Sequence, residues 1–358
     1  MGPGPDQLVR EEIRRVTAYH VPPAKGLVKL DAMENPYRLP PQLAREMGER
    51  LAEVAINRYP DPSGETLKRR VREVMRIDPS LELLLGNGSD EILQIVSLAL
   101  AKPGATVLSV EPSFVVYRLA ATAAGMRYAS VALREDFSLD ARALQGAIER
   151  ERPALTWIAY PNNPTGNLFP RDAILDAVRA SPGLVAVDEA YYAFSGGASL
   201  LADVGRHPNL IVVRTVSKLG LAGLRLGVAI APPGWIHELD KLRMPYNVNV
   251  LTAAAADLVL EHRDVLLEQT QRIVAERSRL EAALDRMRVQ RFPSAANFIL
   301  VRVPDAPAAF EGLKQRGILI KTLHGSHPLL AHCLRLTVGT ADENAKLIEA
   351  LASVLSHA

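Results

Sequence analysis

The stretch LIVVRTVSKLGLAGLRLGVAIA, residues 210–231, holds two apolar runs joined by a polar turn that contains glycine. The runs at residues 210–214 and 226–231 are short and rich in Val, Ile and Leu, which is typical of strands buried within a sheet. The turn between them carries Lys218 and Arg225. A lone lysine is usually a solvated surface group, but ligands of open α/β sheets collect where strands end. This stretch therefore predicts two central strands with a lysine at the ligand-binding edge.

Similar apolar runs occur earlier in the chain, at residues 106–110, 155–159 and 184–187. Longer helix-like stretches separate these runs, and such alternation is typical of successive βα units. The sequence therefore predicts an α/β fold with a mostly parallel central sheet sandwiched by helices.

The pattern changes after residues 258–287, which predict one long amphipathic helix between two lobes. A smaller α+β lobe is predicted beyond it, from three strands and two helices at residues 297–303, 306–316, 317–321, 333–338 and 341–355. The predicted parts are an N-terminal arm, a large domain and a small C-terminal domain beginning with the interdomain helix, at residues 1–35, 36–245 and 246–358.

The composition favours small-molecule chemistry. Lys and Arg number 42 and Asp and Glu 40, so the net charge of +2 gives no argument for nucleic acid or an anionic membrane. No apolar run approaches the roughly 18 to 20 residues of a membrane span. Cys333 is the single cysteine, which excludes an intramolecular disulfide, and the first residues lack the apolar core of a signal peptide. A cytoplasmic protein without a metal site is expected.

Unusual polar residues follow three of the predicted strands. The run at 155–159 leads into YPNNPTG with Asn163, the run at 184–187 into Asp188 and Tyr191, and the run at 210–214 into Lys218. Because parallel strands end at one edge of a sheet, we expect this amide, carboxylate, phenol and amine to converge on one crevice.

A second motif, LGNGSDEIL at residues 85–93, precedes an apolar-patterned helix. The free amides of Ser89 and Asp90 would form a helix N-terminus suited to a phosphate group. The motif is neither GxGxxG nor a P-loop, which argues against a dinucleotide or a nucleoside triphosphate. It is equally compatible with simple helix capping. Thr215, Ser217 and Arg225 could gather around the same phosphate.

A lysine beside a phosphate-bound carbonyl cofactor is what Schiff-base chemistry requires, and pyridoxal phosphate (PLP) is such a cofactor. Its ring nitrogen needs a buried carboxylate, for which Asp188 is the candidate. Asn163 and Tyr191 can donate hydrogen bonds to the ring oxygen, and Tyr117 can cover the ring face. Taken singly, the carboxylate could cap a helix and each tyrosine could be a core residue.

Together these residues resemble the fold-type I (aspartate aminotransferase-like) PLP enzymes, and within them the histidinol-phosphate aminotransferases. The matching segments span nearly the whole chain: KLDAMENPYRLP, NRYPDPSGETLK, LGNGSDEIL, EPSFVVY, YPNNPTGN, VDEAYYAF, RTVSKLGLAGLRLG, NFILVR and CLRLTVGT. Three features are specific for the superfamily: NNPTG, DEAY and the spacing of Lys218 and Arg225. Three others favour the histidinol-phosphate branch: ENP, NRYPD and LRLTVGT.

The resemblance implies that Lys218 holds PLP as an internal aldimine and moves the substrate proton. It also implies that Tyr59 reaches the cofactor phosphate of a partner subunit, which makes the protein a homodimer with shared active sites. Arg335 would grip the substrate anion. Weaker candidates for the substrate pocket are Tyr19, Asn35 and Lys321.

The reaction implied is ping-pong transamination between L-glutamate and imidazole-acetol phosphate, giving L-histidinol phosphate and 2-oxoglutarate in histidine biosynthesis. Aromatic amino-acid aminotransferase and threonine-phosphate decarboxylase activities on the same fold remain alternatives, and a non-catalytic PLP-binding regulator is a remote one. The chain departs from the family at Met33, where relatives more often have Asn, and this predicts a less polar entrance.

Overall fold

The computed structural model describes residues 2–18 and 22–356. Its twelve strands, in chain order, are β1 Val28–Leu30, β2 Glu82–Asn87, β3 Thr106–Glu111, β4 Arg127–Ala132, β5 Leu155–Ala159, β6 Leu184–Asp188, β7 Leu210–Thr215, β8 Leu226–Ala231, β9 Gln290–Arg291, β10 Phe298–Arg302, β11 Ile318–Thr322 and β12 Cys333–Thr337.

The α-helices of the described residues are α1 Pro5–Leu8, α2 Glu11–Arg14, α3 Pro41–Ala52, α4 Glu65–Met75, α5 Ser89–Leu100, α6 Val116–Ala123, α7 Ala141–Glu151, α8 Arg171–Ala180, α9 Leu201–Val204, α10 Pro233–Asp240, α11 Val250–Glu261, α12 Arg263–Arg286, α13 Ala306–Gln315 and α14 Ala341–Leu355. Among these helices, none combines the length and apolar character that a membrane crossing requires.

The larger sheet has seven strands in the order β2-β8-β7-β6-β5-β3-β4. All of its neighbouring pairs are parallel except the two that involve β8. Every residue of β5, β6, β7 and β8 is buried. Side chains that alternate along β6 pack into separate cores, Val185 on one face and Ala186 on the other, because helices cover both faces. The α/β architecture predicted from the sequence is confirmed.

The smaller sheet has five strands in the order β1-β11-β12-β10-β9. Its helices α13 and α14 pack on it around Phe298, Leu313 and Leu347. β1 comes from the segment predicted as an N-terminal arm and pairs in parallel with β11. The arm therefore contributes a strand to the smaller sheet, a long-range pairing that its Pro-rich sequence does not indicate. The domain boundaries themselves remain predictions.

The prediction of a single helix at residues 258–287 is wrong at the start of that range. Helix α11 ends at Glu261, and His262 leaves helical geometry with φ −91° and ψ 38° before α12 begins. The two helices have different packing partners: α11 lies against α3 and α4, whereas α12 contacts α14 and β10. The strand predictions omitted β2 and β4, which are the two edges of the larger sheet.

Candidate active site

The carboxyl ends of the parallel strands β5, β6 and β7 open into one cavity. Ten of the residues predicted from the sequence line it: Ser89, Asp90, Tyr117, Asn163, Asp188, Tyr191, Thr215, Ser217, Lys218 and Arg225. Met33, Phe114, Ala159, Pro161 and Ala190 complete the lining.

Asp188 is the last residue of β6 and is only 5% exposed. Its Oδ2 accepts a hydrogen bond from the Tyr117 hydroxyl at 2.8 Å, and its Oδ1 accepts one from the Ala190 amide at 3.0 Å. Burial raises the pKa of this carboxyl group to about 6, although both hydrogen bonds oppose the rise. A cationic group bound beside Asp188 would therefore be stabilised by a carboxylate that has no oppositely charged partner among the described residues.

Lys218 follows β7 in a short 3-10 turn, Ser217–Leu219. Its Nζ donates to the Ala32 carbonyl at 3.2 Å and lies 5.8 Å from the centre of the Tyr191 ring. Burial, and next the positive charge of Arg335, lower the pKa of this amine to about 8. A substantial fraction of the amine is therefore neutral near physiological pH, as a nucleophilic amine must be.

The opposite end of the cavity suits an anion. Helix α5 begins at Ser89 after Gly88, which has φ +82°, and within the described parts of the chain no side chain caps its first amides. A Cβ on Gly88 would lie 2.6 Å from the Arg225 guanidinium, so glycine allows this close approach. Arg225 Nη2 donates to Asp90 Oδ2 at 3.1 Å, which directs the Asp90 carboxylate toward the arginine. A bound phosphate would share Arg225 with Asp90.

Two hydroxyl groups extend the anion-binding end from the β7 side. The Thr215 Oγ1 lies 2.9 Å from the Ser217 Oγ and also accepts the Ser217 amide at 3.1 Å. Both residues are buried, so their hydroxyl groups have little access to bulk water.

The smaller sheet contributes Arg335 on β12, which is 7% exposed. Its Nη1 donates to Asn163 Oδ1 at 2.6 Å and its Nη2 to the Asp31 carbonyl at 3.0 Å. Because Asn163 Oδ1 accepts from the arginine, its Nδ2 is the atom that can donate to a ligand. Lys321 lies opposite Arg335 in the β11 and β12 register. Burial, and next Arg335, lower the pKa of Lys321.

Neighbouring motif residues have structural roles. Asn162 is fully buried and donates to the Pro112 carbonyl at 3.0 Å, which joins the loops after β3 and β5. Glu189, next to Asp188, accepts two hydrogen bonds from Arg214 at 2.9 and 2.8 Å. This buried ion pair fixes the backbone that presents Asp188.

Arg335 and Lys321 do not themselves line the cavity, and neither do Tyr59 and Asn35. Tyr59 is 81% exposed and stacks on Tyr246 with ring centres 4.5 Å apart. Asn35 donates to the Leu219 carbonyl at 3.0 Å and to Gln269 Oε1 at 2.9 Å, so its contacts brace the turn after Lys218. Tyr19 lies outside the described residues.

The sequence analysis predicted neither that Phe114 lines the cavity nor which residues Met33 contacts. Phe114 packs edge-on against Tyr117 with ring centres 5.6 Å apart. Its position three residues before Tyr117, about one helical turn, was a usable signal. Tyr117 itself stacks on Trp157 at 5.2 Å, so its ring is already covered on one side. The contact of Met33 depends on long-range packing and had no local signal.

Comparisons with known proteins agree with this geometry. The model of the family "Aminotransferase class I and II" matches residues 25–351. A Chromobacterium violaceum protein named histidinol-phosphate aminotransferase is 55% identical over 96% of this chain and 97% of its own. A Cupriavidus pinatubonensis protein named histidinol-phosphate aminotransferase 2 is 52% identical over 98% and 97%.

Among solved structures, the histidinol-phosphate aminotransferase from Sinorhizobium meliloti in complex with pyridoxal-5'-phosphate superposes with a TM-score of 0.88. It is 25% identical and covers 98% of both chains. The resemblance stated from the motifs is confirmed by a family model that spans most of the sequence and by relatives of more than 50% identity. The chain belongs to the class I and II aminotransferase family.

Proposed function

We propose that the protein is a PLP-dependent histidinol-phosphate aminotransferase. It transfers an amino group from L-glutamate to imidazole-acetol phosphate, which yields L-histidinol phosphate and 2-oxoglutarate. The curated relatives that match nearly the full chain at 50% to 55% identity carry this activity in their names. The S. meliloti structure of similar fold was solved with PLP.

The donor set of the cavity fits PLP. When bound, this cofactor supplies an electron-withdrawing ring that stabilises negative charge at the substrate Cα. Asp188, buried at the end of β6, would hold the ring nitrogen in its cationic form. The Asn163 Nδ2 and the Tyr191 hydroxyl can donate to the ring oxygen. The α5 amides and Arg225 would hold the phosphate.

The amine of Lys218 can exchange a proton with a substrate held at the centre of the cavity. Its pKa of about 8 lies close to physiological pH, so both protonation states are populated, as general acid and base catalysis requires. The Ala32 carbonyl accepts a hydrogen bond from this amine at 3.2 Å and so helps to fix its position.

Arg335 would bind the anionic end of either substrate, since its guanidinium fork accepts a carboxylate or a phosphate. Its two hydrogen bonds to Asn163 and the Asp31 carbonyl hold the fork in place before a ligand arrives. Lys321 would add a second positive charge beside it. The observation that carries the proposal is that Lys218 and Asp188 line one cavity together with Asn163, to which Arg335 of the smaller sheet donates a hydrogen bond.

The test is a pair of half-reactions. The purified protein loaded with PLP is mixed separately with L-glutamate and L-histidinol phosphate, and its visible absorbance is followed. Both donors should convert the cofactor to the pyridoxamine form. If only aromatic amino acids convert it, the substrate assignment is wrong. If glutamate leaves the spectrum unchanged while a phosphorylated amino acid releases carbon dioxide, the enzyme is a decarboxylase.

We also propose a homodimer with shared active sites. Tyr59 and Tyr246 are exposed, and so are the apolar side chains of Ile56, Met244 and Leu251 close to them in sequence. Such an exposed apolar group is typical of a protein interface. Mixing inactive Lys218→Ala with inactive Tyr59→Ala subunits should restore activity, because one site of each hybrid is intact. Activity no higher than the sum of the two variants would contradict the shared site.

The cytoplasmic location expected from the sequence stays a prediction. Fractionation of the native host, followed by detection of the protein in the soluble intracellular fraction, would test it.

A further inference from the structure

The turn that carries Lys218 is held by contacts with the segment at residues 32–38. The Lys218 Nζ donates to the Ala32 carbonyl at 3.2 Å, and the Asn35 Nδ2 donates to the Leu219 carbonyl at 3.0 Å. The segment therefore contacts the turn both at the amine and at the backbone of the next residue.

Gln269 of helix α12 holds this segment at two points. Its Oε1 accepts a hydrogen bond from the Asn35 Nδ2 at 2.9 Å, and its Nε2 donates to the Arg38 carbonyl at 3.0 Å. Because a carbonyl can only accept, Arg38 fixes the Nε2 on its side and leaves the Oε1 for Asn35. Gln269 is 7% exposed, so bulk water competes little for these two bonds.

Gly220, in the same turn, allows the side-chain amides of Asn35 and Gln269 to lie close to the backbone. A Cβ at this position would lie 3.0 Å from the Asn35 Nδ2 and 3.3 Å from the Gln269 Oε1, and the backbone φ is +121°. Glycine is the residue that adopts this conformation without strain. The turn is therefore built to receive these two amides.

We infer that Gln269 is a positioning residue, which acts through Asn35 to fix the turn that places the Lys218 amine in the cavity. This inference rests on the proposed function, in which Lys218 is the reacting amine. The Asn35 Nδ2 has two hydrogens and donates to two acceptors, so removal of the Gln269 amide leaves one donor unpaired beside the turn. Leaving such a donor unpaired costs free energy, and water or a rotation of Asn35 would relieve it. Either change loosens the turn and lets water approach the amine.

The test measures, as a function of pH, the rate at which the cofactor-free wild type and Gln269→Met capture PLP. Methionine is unbranched like glutamine and removes both hydrogen bonds. Burial lowers the pKa of the Lys218 amine to about 8, so better access of water should move the midpoint of the capture rate upward by about 0.5 to 1 unit. At about pH 7.5 capture would then be about 3- to 8-fold slower, because a smaller fraction of the amine is neutral.

The substitution leaves the charges around the amine unchanged. The charged groups that act on the Lys218 amine are Arg335, Glu34, Asp90 and Arg225. In the described part of the chain, the side chain of Gln269 hydrogen-bonds to Asn35 and Arg38 only. A shift of the midpoint in Gln269→Met therefore reports a change in the position or hydration of the amine.

Gln271→Met is the matched control, because Gln271 is exposed on the same helix, and it should leave the midpoint and the rate unchanged. Asn35→Ala tests the route of the effect. If Gln269 acts through Asn35, the double variant should capture PLP no more slowly than Asn35→Ala alone.

Three results would overturn the inference. They are an unchanged midpoint in Gln269→Met, a rate that falls equally at every pH as expected from a loss of folded protein, and additive effects in the double variant. Failure of the proposed function is recognised separately, because the wild type itself would then not capture PLP.

Discussion

Replacing Asp188 by Asn should separate catalysis from folding. Burial raises the pKa of this carboxyl group from 3.8 to about 6. A shift of about 2 units disfavours the charged form by about 3 kcal/mol. Since the folded-state pKa exceeds the unfolded value, the fold loses this free energy progressively as the pH rises from 3.8 through about 6. At pH 8 the cofactor-free protein carries the whole penalty.

The side-chain amide introduced by Asp188→Asn has no charge to bury. Its oxygen can still accept from the Tyr117 hydroxyl, which lies 2.8 Å from Asp188 Oδ2 in the wild type, but its NH2 group faces the Ala190 amide. This mismatch offsets part of the gain, so we expect the cofactor-free variant to be as stable as the wild type or up to about 3 kcal/mol more stable at pH 8. Its kcat should fall about 100-fold or more, because no anion opposes the ring nitrogen.

The assay has two parts. Urea unfolding of the cofactor-free wild type and Asp188→Asn is measured at pH 5 and pH 8, and the glutamate half-reaction is followed by rapid mixing. The stability of the variant relative to the wild type should be higher at pH 8 than at pH 5. A variant that is clearly less stable than the wild type at pH 8, or one that keeps its kcat, would refute the reasoning and make Asp188 a structural residue.

Three further outcomes are expected from the same geometry. The rate at which the cofactor-free protein captures PLP should rise with pH around a midpoint near 8, the pKa of the Lys218 amine. Rapid-mixing absorbance measures this rate. A midpoint near 10.5 would contradict the burial of this amine. Arg335→Gln should move that midpoint upward, because a positive charge near Lys218 is removed, and should raise KM about 10- to 100-fold for both substrates in steady-state assays. An effect on one substrate alone would exclude a shared anion site. Tyr117→Phe removes a hydrogen bond that lowers the pKa of Asp188, so the acid limb of the variant's kcat–pH profile should shift to higher pH. An unchanged acid limb would show that this hydrogen bond does not affect the pKa of the carboxyl group.

The convergence of Asn163, Asp188 and Lys218 was predictable because it follows from the geometry of parallel strands. Each residue lies just after an apolar run or at its end, and β5, β6 and β7 are neighbours in the sheet. The polar partners of these residues were not predictable. Tyr117 meets Asp188 across 71 positions of the sequence, and only the fold shows that its hydroxyl points at the carboxylate.

The segment at residues 31–33 shows the same limit more strongly. The strand just before it, β1, pairs with β11, which joins residues almost 300 positions apart in the sequence. The contacts of Met33 with Asn297 and Thr337 span similar separations. Local propensity at Met33 disfavours the positive φ that these long-range bonds impose. The end of α11 at Glu261 is likewise set by packing against α3 and α4, since no Gly or Pro marks it.

Reduction of the PLP-loaded protein with borohydride, followed by peptide mapping, tests the central claim most directly. We expect a pyridoxyl group on the peptide that contains Lys218, and loss of that label when the protein is first incubated with L-glutamate. A label on another lysine such as Lys321, or no label at all, would contradict the assignment of this cavity as an amino-transfer site.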